Sequence, residues 1–392
     1  MPEPQAHRTT LRRLCRLGAV LLIGAAASGC ASVRYYGHVA RGQLQILSRR
    51  EPLAEVIADP GTPDPTARRL TMAMHARTFA SAAMKLPDNR SYTSYVALDR
   101  PYVAWNVFAA PRFAVEAVPQ CFPFAGCVAY RGYFRKSLAE QRAAQLRGQG
   151  LDVWVGPVPA YSTLGWFADP ILSSMMRWDD DELAGTIFHE LAHQRVYAKG
   201  DTAFNESFAT FVEREGVREW RQSRGLPPPA GDGQAIEAGF TARVLELRER
   251  LRADYARGGG EAALQARKRA DIAAFRRDYA VWRDREFPGD HRYDAWVAAP
   301  INNARLLPFG LYDRWTGAFA ALFRDADRQW EAFYRRVREL AQRPPAARRD
   351  ALQALEAQNT AQRRPAGERA LVGFSSSEAA RPQENAAYPD GS

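Results

Sequence analysis

The sequence lacks several features that would identify a protein class directly. It contains no internal repeat and no nucleic-acid-binding module, so a repeat architecture and a nucleic-acid partner are not expected. It also lacks a block of like charge: the net charge is +10, but the arginines are spread among acids on predicted helices. Such charges are typical of solvated helix faces, with attraction to anionic lipid head groups or cell-envelope polymers as the alternative.

The N-terminus also lacks an apolar stretch long enough to span a bilayer. The stretch from Leu17 to Ala27 is too short, and it follows a positively charged region formed by Arg8, Arg12, Arg13 and Arg16. It ends in Ala-Ser-Gly-Cys at positions 27–30, which resembles a bacterial lipobox with Cys30 as the lipidated residue. We interpret residues 1–29 as a lipoprotein signal peptide, with a retained signal anchor as the alternative. Because Ala31 rather than aspartate follows Cys30, we expect a lipid-anchored protein at the outer membrane, facing the periplasm.

Cysteine is scarce, with four in the chain. Cys15 lies in the signal segment and Cys30 would be acylated, which leaves Cys121 and Cys127. These two flank a Pro/Gly turn, and an oxidising periplasm permits a disulfide between them. Two reduced, packed thiols are the alternative.

Histidine is also scarce, with six in the chain, yet two of them stand four positions apart in His189-Glu190-Leu191-Ala192-His193. On a helix this spacing places both imidazoles on one face, where they can bind a single Zn²⁺. Glu190 lies about 100° round the helix, where it can reach a zinc-bound water but is badly placed as a ligand. Two ordinary helix histidines beside a surface glutamate are the structural alternative.

A second segment, Asn205–Glu213, follows a predicted helix stop and start at Lys199–Thr202. Glu206 then lies in the first turns of a second helix, where its carboxylate can complete a His₂Glu site with the fourth position left for water. Glu213 shares roughly the same face but lies about 10 Å farther along the axis, too far to serve the same ion. Glu213 is therefore either a surface acid or a group that binds the amine of a substrate.

The chain resembles the gluzincin metallopeptidases in two segments, His-Glu-Leu-Ala-His-Gln at 189–194 and Asn-Glu-Ser-Phe-Ala at 205–209. The second segment resembles the third-ligand segment of zinc aminopeptidases. Over about residues 30–340 the chain is most similar to predicted bacterial lipoprotein aminopeptidases. The resemblance implies one Zn²⁺ per chain on His189, His193 and Glu206, with Glu190 activating the zinc-bound water. Thermolysin-like members carry an acid four residues after the ligand glutamate, where this chain has Thr210, so the residue that orients a histidine must differ.

The resemblance also implies substrate-binding positions. An edge strand before the metal helix runs beside the zinc in such folds, and this places Tyr161, Ser162, Thr163, Leu164 and Gly165 along the substrate cleft. An ordinary sheet edge is the alternative. A downstream tyrosine stabilises the oxyanion in gluzincins, with Tyr312 as our first candidate and Tyr293 as our second; a packed tyrosine is the alternative for each.

The order of predicted elements indicates an α+β fold, with a gluzincin-like catalytic domain followed by a mainly helical part. Short runs at 91–98, 102–109, 113–118, 128–134 and 151–158 predict strands, with antiparallel hairpins at turns such as Asp99–Pro101. We predict a zinc-peptidase core over 30–222, a helical part over 223–358 that completes the cleft, and a disordered tail over 359–392. Within the helical part, residues 236–257 and 261–285 predict a helical hairpin, and Phe319–Leu340 a single amphipathic helix.

The sequence therefore predicts a zinc-dependent aminopeptidase of the bacterial cell envelope, with peptides as substrates. A zinc endopeptidase with the same mechanism is one alternative, and a non-catalytic, metal-binding envelope lipoprotein is the other. The oligomeric state and the preferred substrate side chain do not follow from the sequence.

The lipobox interpretation predicts that Cys30→Ala abolishes acylation and releases the protein from membranes, because no other residue offers the acylated thiol. Labelling with a radioactive or clickable fatty acid, followed by membrane fractionation, measures both effects. Acyl labelling that persists in Cys30→Ala would refute the interpretation, and Cys15→Ala serves as the control that keeps the label.

Overall fold

A computed structural model of the chain describes residues 33–122, 126–163, 165–229, 231–309 and 314–363. The described part is α+β and mostly helical, with small sheets and a helical C-terminal part, which confirms the predicted fold class at this level. The helices are α1 (33–48), α2 (Leu53–Ala58), α3 (Asp64–Ala82), α4 (Lys136–Gly148), α5 (Asp180–Arg195), α6 (Thr202–Ser223), α7 (Gly231–Ala256), α8 (Glu261–Glu286), α9 (Asp294–Ala298), α10 (Asn303–Leu306), α11 (Thr316–Arg324), α12 (Trp330–Gln342) and α13 (Pro345–Arg363). No helix in these ranges is long and apolar enough to cross a membrane.

The strands form three small sheets. They are β1 (Glu51–Pro52), β2 (Ser94–Val96), β3 (Ala104–Ala110), β4 (Gln120–Phe122), β5 (Gly126–Val128), β6 (Tyr130–Tyr133), β7 (Asp152–Val158) and β8 (Ile171–Leu172). The main sheet has the order β6-β3-β7, with both pairs antiparallel. A second sheet has the order β1-β2-β8, in which β2 and β8 are parallel, and β4 pairs with β5.

Helices α5 and α6 pack side by side at the centre of the largest hydrophobic core. Residues early in α5 meet residues late in α6, since a Cβ on Gly185 would lie 3.1 Å from the Glu213 side chain. Residues late in α5 meet residues early in α6, since His193 approaches Glu206. The two helices are therefore antiparallel, as the short connection between them requires.

The C-terminal helices belong to this same core. Phe204 and Phe208 of α6 contact Phe319 of α11 at ring-centroid distances of 5.3 and 5.7 Å, and Phe211 contacts Phe333 of α12. Burying such aromatic side chains contributes about 1.5–3 kcal/mol each. Helices α11 and α12 thus support α6 from the side away from α5, and the largest core joins residues on both sides of position 223.

Helices α7 and α8 form the predicted helical hairpin and have a core of their own. A buried polar network attaches this hairpin to the main sheet. Lys268 of α8 forms an ion pair with Asp152 of β7, and Asp152 also accepts a hydrogen bond from the backbone N–H of Asn303 at 3.0 Å. The Asn303 side chain accepts a hydrogen bond from Tyr255 of α7 at 3.0 Å.

The hairpin predicted at Asp99–Pro101 is wrong. Strand β2, before the turn, pairs with β1 and β8, whereas β3, after it, pairs with β6 and β7. The two strands separate because Val96 is buried in the largest core while Val107 is buried between the main sheet and α4. The strand predicted at 113–118 is also wrong: Val115 there packs against the helical hairpin without forming a strand.

Two C-terminal boundaries need correction as well. The helix predicted over Phe319–Leu340 is two helices: α11 ends at Arg324, and the turn before α12 contains Asp327 and Arg328 in left-handed backbone conformations (φ 52° and 58°) that interrupt a helix. Residues 359–363, which we assigned to a disordered tail, are helical, since α13 continues to Arg363, and the rest of the predicted tail lies outside the described residues. Asn359 is 4% exposed, and its side chain accepts a hydrogen bond from Arg324 at 2.9 Å.

The position of Asn359 generates a stability prediction. Asn359→Ala should lower the free energy of unfolding by about 1–3 kcal/mol, because the change removes the buried Asn359 side chain that accepts a hydrogen bond from Arg324 in a partly buried contact. Gln358→Ala, at an exposed neighbouring position, should change it by less than about 0.5 kcal/mol. Urea denaturation of both variants measures the difference, and equal midpoints would contradict the docking of this turn of α13.

Candidate metal centre

Helix α5 carries the two histidines of the predicted site and begins at a well-formed cap. Asp179 accepts a hydrogen bond from the backbone N–H of Glu182 at 2.8 Å, and Glu182 accepts one from the backbone N–H of Asp179 at 3.1 Å. His189 and His193 are 8% and 7% exposed, with ring centroids 4.8 Å apart. The four-residue spacing therefore brings both imidazoles together in a buried position, as helix geometry requires.

The turn between α5 and α6 brings Glu206 to these histidines. Asp201 caps α6 by accepting a hydrogen bond from the backbone N–H of Phe204 at 3.1 Å. The buried Asn205 side chain accepts a hydrogen bond from the Ala198 N–H at 2.7 Å and donates one to the Ala198 carbonyl at 2.9 Å. On the other side of Glu206, Ser207 accepts a hydrogen bond from the Trp315 N–H at 3.1 Å, so both neighbours of Glu206 hold its backbone in place.

The geometry of the three donors fits a small metal ion. Glu206 Oε2 lies 3.3 Å from His189 Nε2 and 3.7 Å from His193 Nε2, and the three donor atoms all lie within 4.8 Å of one another. Zn²⁺ ligands about 2.0–2.1 Å from the metal at tetrahedral angles are about 3.3–3.4 Å apart. Two imidazoles and one carboxylate are a donor set that Zn²⁺ uses, and the two distances from Glu206 are close to this separation.

Electrostatics within the cluster agree with its geometry. Burial alone would raise the pKa of Glu206, but hydrogen bonds with both histidines lower it to about 2. Burial alone would lower the pKa of His189, but hydrogen bonds with Glu206 and Glu213 raise it to about 10. Glu206 is therefore ionised at neutral pH, and a metal ion would take the place of the proton that the two carboxylates hold on His189.

Glu213 has a role at this site that the sequence analysis missed. Its Oε2 lies 2.9 Å from His189 Nδ1, the ring nitrogen opposite the one that faces Glu206. A carboxylate there orients the imidazole so that Nε2 faces the position of a metal. Two features of the sequence indicate this role. Glu213 is seven residues after Glu206, about two helical turns, so both lie on the same face of α6. Gly185 has no side chain, which leaves room for Glu213 against α5. Thr210, where thermolysin-like enzymes have the orienting acid, is buried.

Glu190 faces the same cluster from a different side of α5. Burial raises the pKa of its carboxyl; the charges of His189 and His193 act in the opposite direction, and those of Glu206 and Asp169 raise it further. Glu190 is therefore next to the donor set without belonging to it. This is the position required of a group that exchanges protons with a water or substrate at the metal.

Residues 161–163 and 165–167 form a loop and not the edge strand that we predicted. The buried Asp169 carboxylate holds this loop, accepting hydrogen bonds from the Thr163 N–H at 2.9 Å and from the Thr163 hydroxyl at 2.8 Å. Tyr161 donates a hydrogen bond to Gln43, and Gly165 lies against the side chain of Gln194 at the end of the metal helix. The loop thus passes beside α5, while Leu164 lies outside the described residues.

The remaining predicted positions are distributed over the molecule. Cys30 and Tyr312 lie outside the described residues. Tyr293 stacks on Phe240 of the helical hairpin at 3.9 Å and packs against the core of that hairpin, which is the packed alternative given for this residue. Cys121 and Cys127, on paired strands β4 and β5, are joined by a disulfide bond.

Two other tyrosines lie near Glu206. Burial and then the charge of Glu206 raise the pKa of Tyr130, on β6, to about 12. The same two causes raise the pKa of Tyr197, whose ring centroid is 6.4 Å from that of His193. Their hydroxyls are potential hydrogen-bond donors toward the site.

The described part of the chain is thus an α+β protein in which two histidines and a glutamate on consecutive helices bring their donor atoms together as a candidate metal site. A family model described as "Putative aminopeptidase" matches residues 34–352, and the chain belongs to that family. The family description suggests a hydrolase of peptide bonds. Searches of curated proteins and of solved structures gave no significant match.

The two carboxylates should affect metal binding differently. Glu206→Ala should weaken zinc affinity by several orders of magnitude, because it removes a donor atom from a three-residue site. Glu213→Gln should weaken it by only about 10- to 100-fold, because it alters the partner of a ligand. Competition with a chromophoric chelator measures both constants, and stoichiometric zinc in purified Glu206→Ala would show that the donor set is wrong.

Proposed function

We propose that this protein is a zinc-dependent aminopeptidase of the cell envelope, and that His189, His193 and Glu206 hold the metal. The observation that carries the proposal is the set of three donor atoms within 4.8 Å, with Glu190 facing it. The family to which the chain belongs supports peptide-bond hydrolysis. A non-catalytic metal site would not need a partly buried, uncoordinated carboxylate beside its ligands.

The residues of the chain divide the chemistry between them. When bound, Zn²⁺ would supply Lewis acidity that polarises the scissile carbonyl and increases the acidity of the attacking water. Glu190 accepts the proton of that water and later delivers it to the departing amine. Glu213 keeps the His189 ring oriented through Nδ1. Tyr130 and Tyr197 offer hydroxyl donors for the oxyanion that forms on the carbonyl.

The substrate would bind between the loop formed by residues 161–163 and 165–167 and the metal helix. Asp169 fixes this loop, and the neighbouring Trp166 and Phe167 are 81% and 45% exposed. Exposed aromatic side chains beside a cleft favour contact with apolar side chains of a peptide. Backbone groups of the loop can pair with an extended substrate.

A zinc endopeptidase remains a second candidate for a specific reason. An aminopeptidase requires an acidic group that binds the free α-amine of its substrate. Glu213 contacts His189, and Asp169 is occupied by the loop, so these two acids already have partners. Cleavage of free peptides but not of N-acetylated ones would indicate an aminopeptidase, and cleavage of both would indicate an endopeptidase.

The role of Glu190 can be tested independently of metal binding. Glu190→Gln should retain stoichiometric zinc and lose at least about 100-fold in kcat, because the amide keeps the shape but cannot accept a proton. The matched control Glu339→Gln changes an exposed glutamate on α12 and should keep full activity. Kinetics with fluorogenic peptides and zinc analysis of the same samples decide the outcome; turnover of Glu190→Gln near that of the control would remove Glu190 from the mechanism.

A further inference from the structure

The main sheet separates two differently charged environments. Successive residues of β6 point to opposite faces. Tyr130 packs with Phe108 and Trp154 on the face toward Glu206, where the site is rich in carboxylates. Tyr133 packs in the cluster on the other face, which α4 covers. The second face is therefore separated from the metal centre by the thickness of the sheet.

An open cavity of about 270 Å³ lies on this second face, between α1, β6 and α4. Four arginines line it, and no aspartate or glutamate does. They come from three separate segments of the chain: Arg34 from α1, Arg131 from β6, and Arg135 and Arg142 from the start of α4 and its first turns. We call this cavity the arginine pocket.

Among the described residues, no carboxylate compensates the positive charges of the arginine pocket. The Arg131 guanidinium lies 3.7 Å from the ring centroid of Tyr35, and the Nε atoms of Arg131 and Arg142 are buried without a hydrogen-bond partner. None of the four arginines is within 4.0 Å of a carboxylate in the described part of the chain. Glu140, the acid on the same helix, pairs with Arg147.

Besides burial, arginine charges lower the pKa of a neighbouring side chain, His38. Burial and then the charges of Arg135 and Arg100 lower the pKa of His38, which accepts a hydrogen bond from the Phe134 N–H at 3.0 Å. Four guanidinium groups around one cavity repel each other, and a bound anion would offset this cost. Guanidinium groups match the oxygens of a phosphate through paired hydrogen bonds.

We propose that the arginine pocket binds the phosphate group of a phosphate ester. Several oxygens around one phosphorus can satisfy arginines that converge from three segments, which a single carboxylate cannot do. The side chains of Gln141 and Gln145, at the same cavity, add amide donors for the ester portion.

Such a phosphate could belong to a lipid head group or to a small soluble ester. Arg34 is four positions after Cys30, and four residues span at most about 14 Å. If Cys30 is acylated, the pocket lies within reach of the phosphates at the membrane surface, which favours the lipid. Val33 and Tyr36, on the same end of α1, are 72% and 42% exposed.

Calorimetric titration of the full chain tests the proposal with three separate probes: inorganic phosphate, a short-chain phosphatidylglycerol below its micelle concentration, and dihexanoylglycerol, which lacks the phosphate. We expect a phosphate-bearing probe to bind, and Arg34→Gln/Arg135→Gln to weaken that binding at least tenfold. Both arginines are exposed, so this variant should fold normally. Arg335→Gln/Arg336→Gln, with the same loss of charge on exposed positions of α12, should bind within twofold of the unaltered chain.

The outcomes separate the two sources and can overturn the proposal. Phosphatidylglycerol binding at least tenfold tighter than inorganic phosphate supports a head-group site, and equal affinities support a soluble phosphate ester. The proposal is overturned if neither phosphate probe binds, if dihexanoylglycerol binds as well as phosphatidylglycerol, or if the control pair weakens binding as much as the pocket pair. Phosphate bound at the metal centre would leave the pocket variant unaffected, which is also a negative result.

Discussion

The close antiparallel contact between α5 and α6 is the constraint on which the rest of the structure depends. It places the two histidines of one helix against the two glutamates of the other. Two glycines make the approach possible: a Cβ on Gly185 would press on Glu213, and one on Gly216 would meet Met84 and Phe188. Separating the helices by the width of a methyl group would move Glu213 from His189 and Glu206 from both histidines.

Much of the remaining chain holds these helices in register. Asn205 fixes the turn between them through Ala198, and Ser207 ties the ligand segment to the start of α11. The aromatic side chains of α11 and α12 pack along the outer side of α6. A segment more than 100 residues downstream of the histidines thus contributes to the rigidity of the cluster, and this rigidity is what allows a site to bind one metal in one geometry.

The distribution of charge follows the layers of the fold. Carboxylates gather around the histidines on one side of the main sheet, where a cation would bind. Arginines converge on the other side, in a cavity with no acidic lining. The net charge of +10 therefore includes two local environments of opposite charge. The arginine pocket has the properties of an anion site and not of a simple solvated helix face.

The sequence by itself determined what depends on a few neighbouring residues. Helix periodicity places His189 and His193 on one face, capping groups mark the starts of α5 and α6, and glycines separate α7 from α8. Tertiary structure alone decided what depends on distant partners. Strand β2 pairs with β8 because Val96 belongs to the largest core, and Glu213 reaches His189 across a helix interface. The turn between α11 and α12 contains two residues in the left-handed conformation, and neither of them is a glycine. The physical reason is that propensity and capping act over one or two turns, whereas pairing and burial are settled only when segments far apart in the chain compete for the same core.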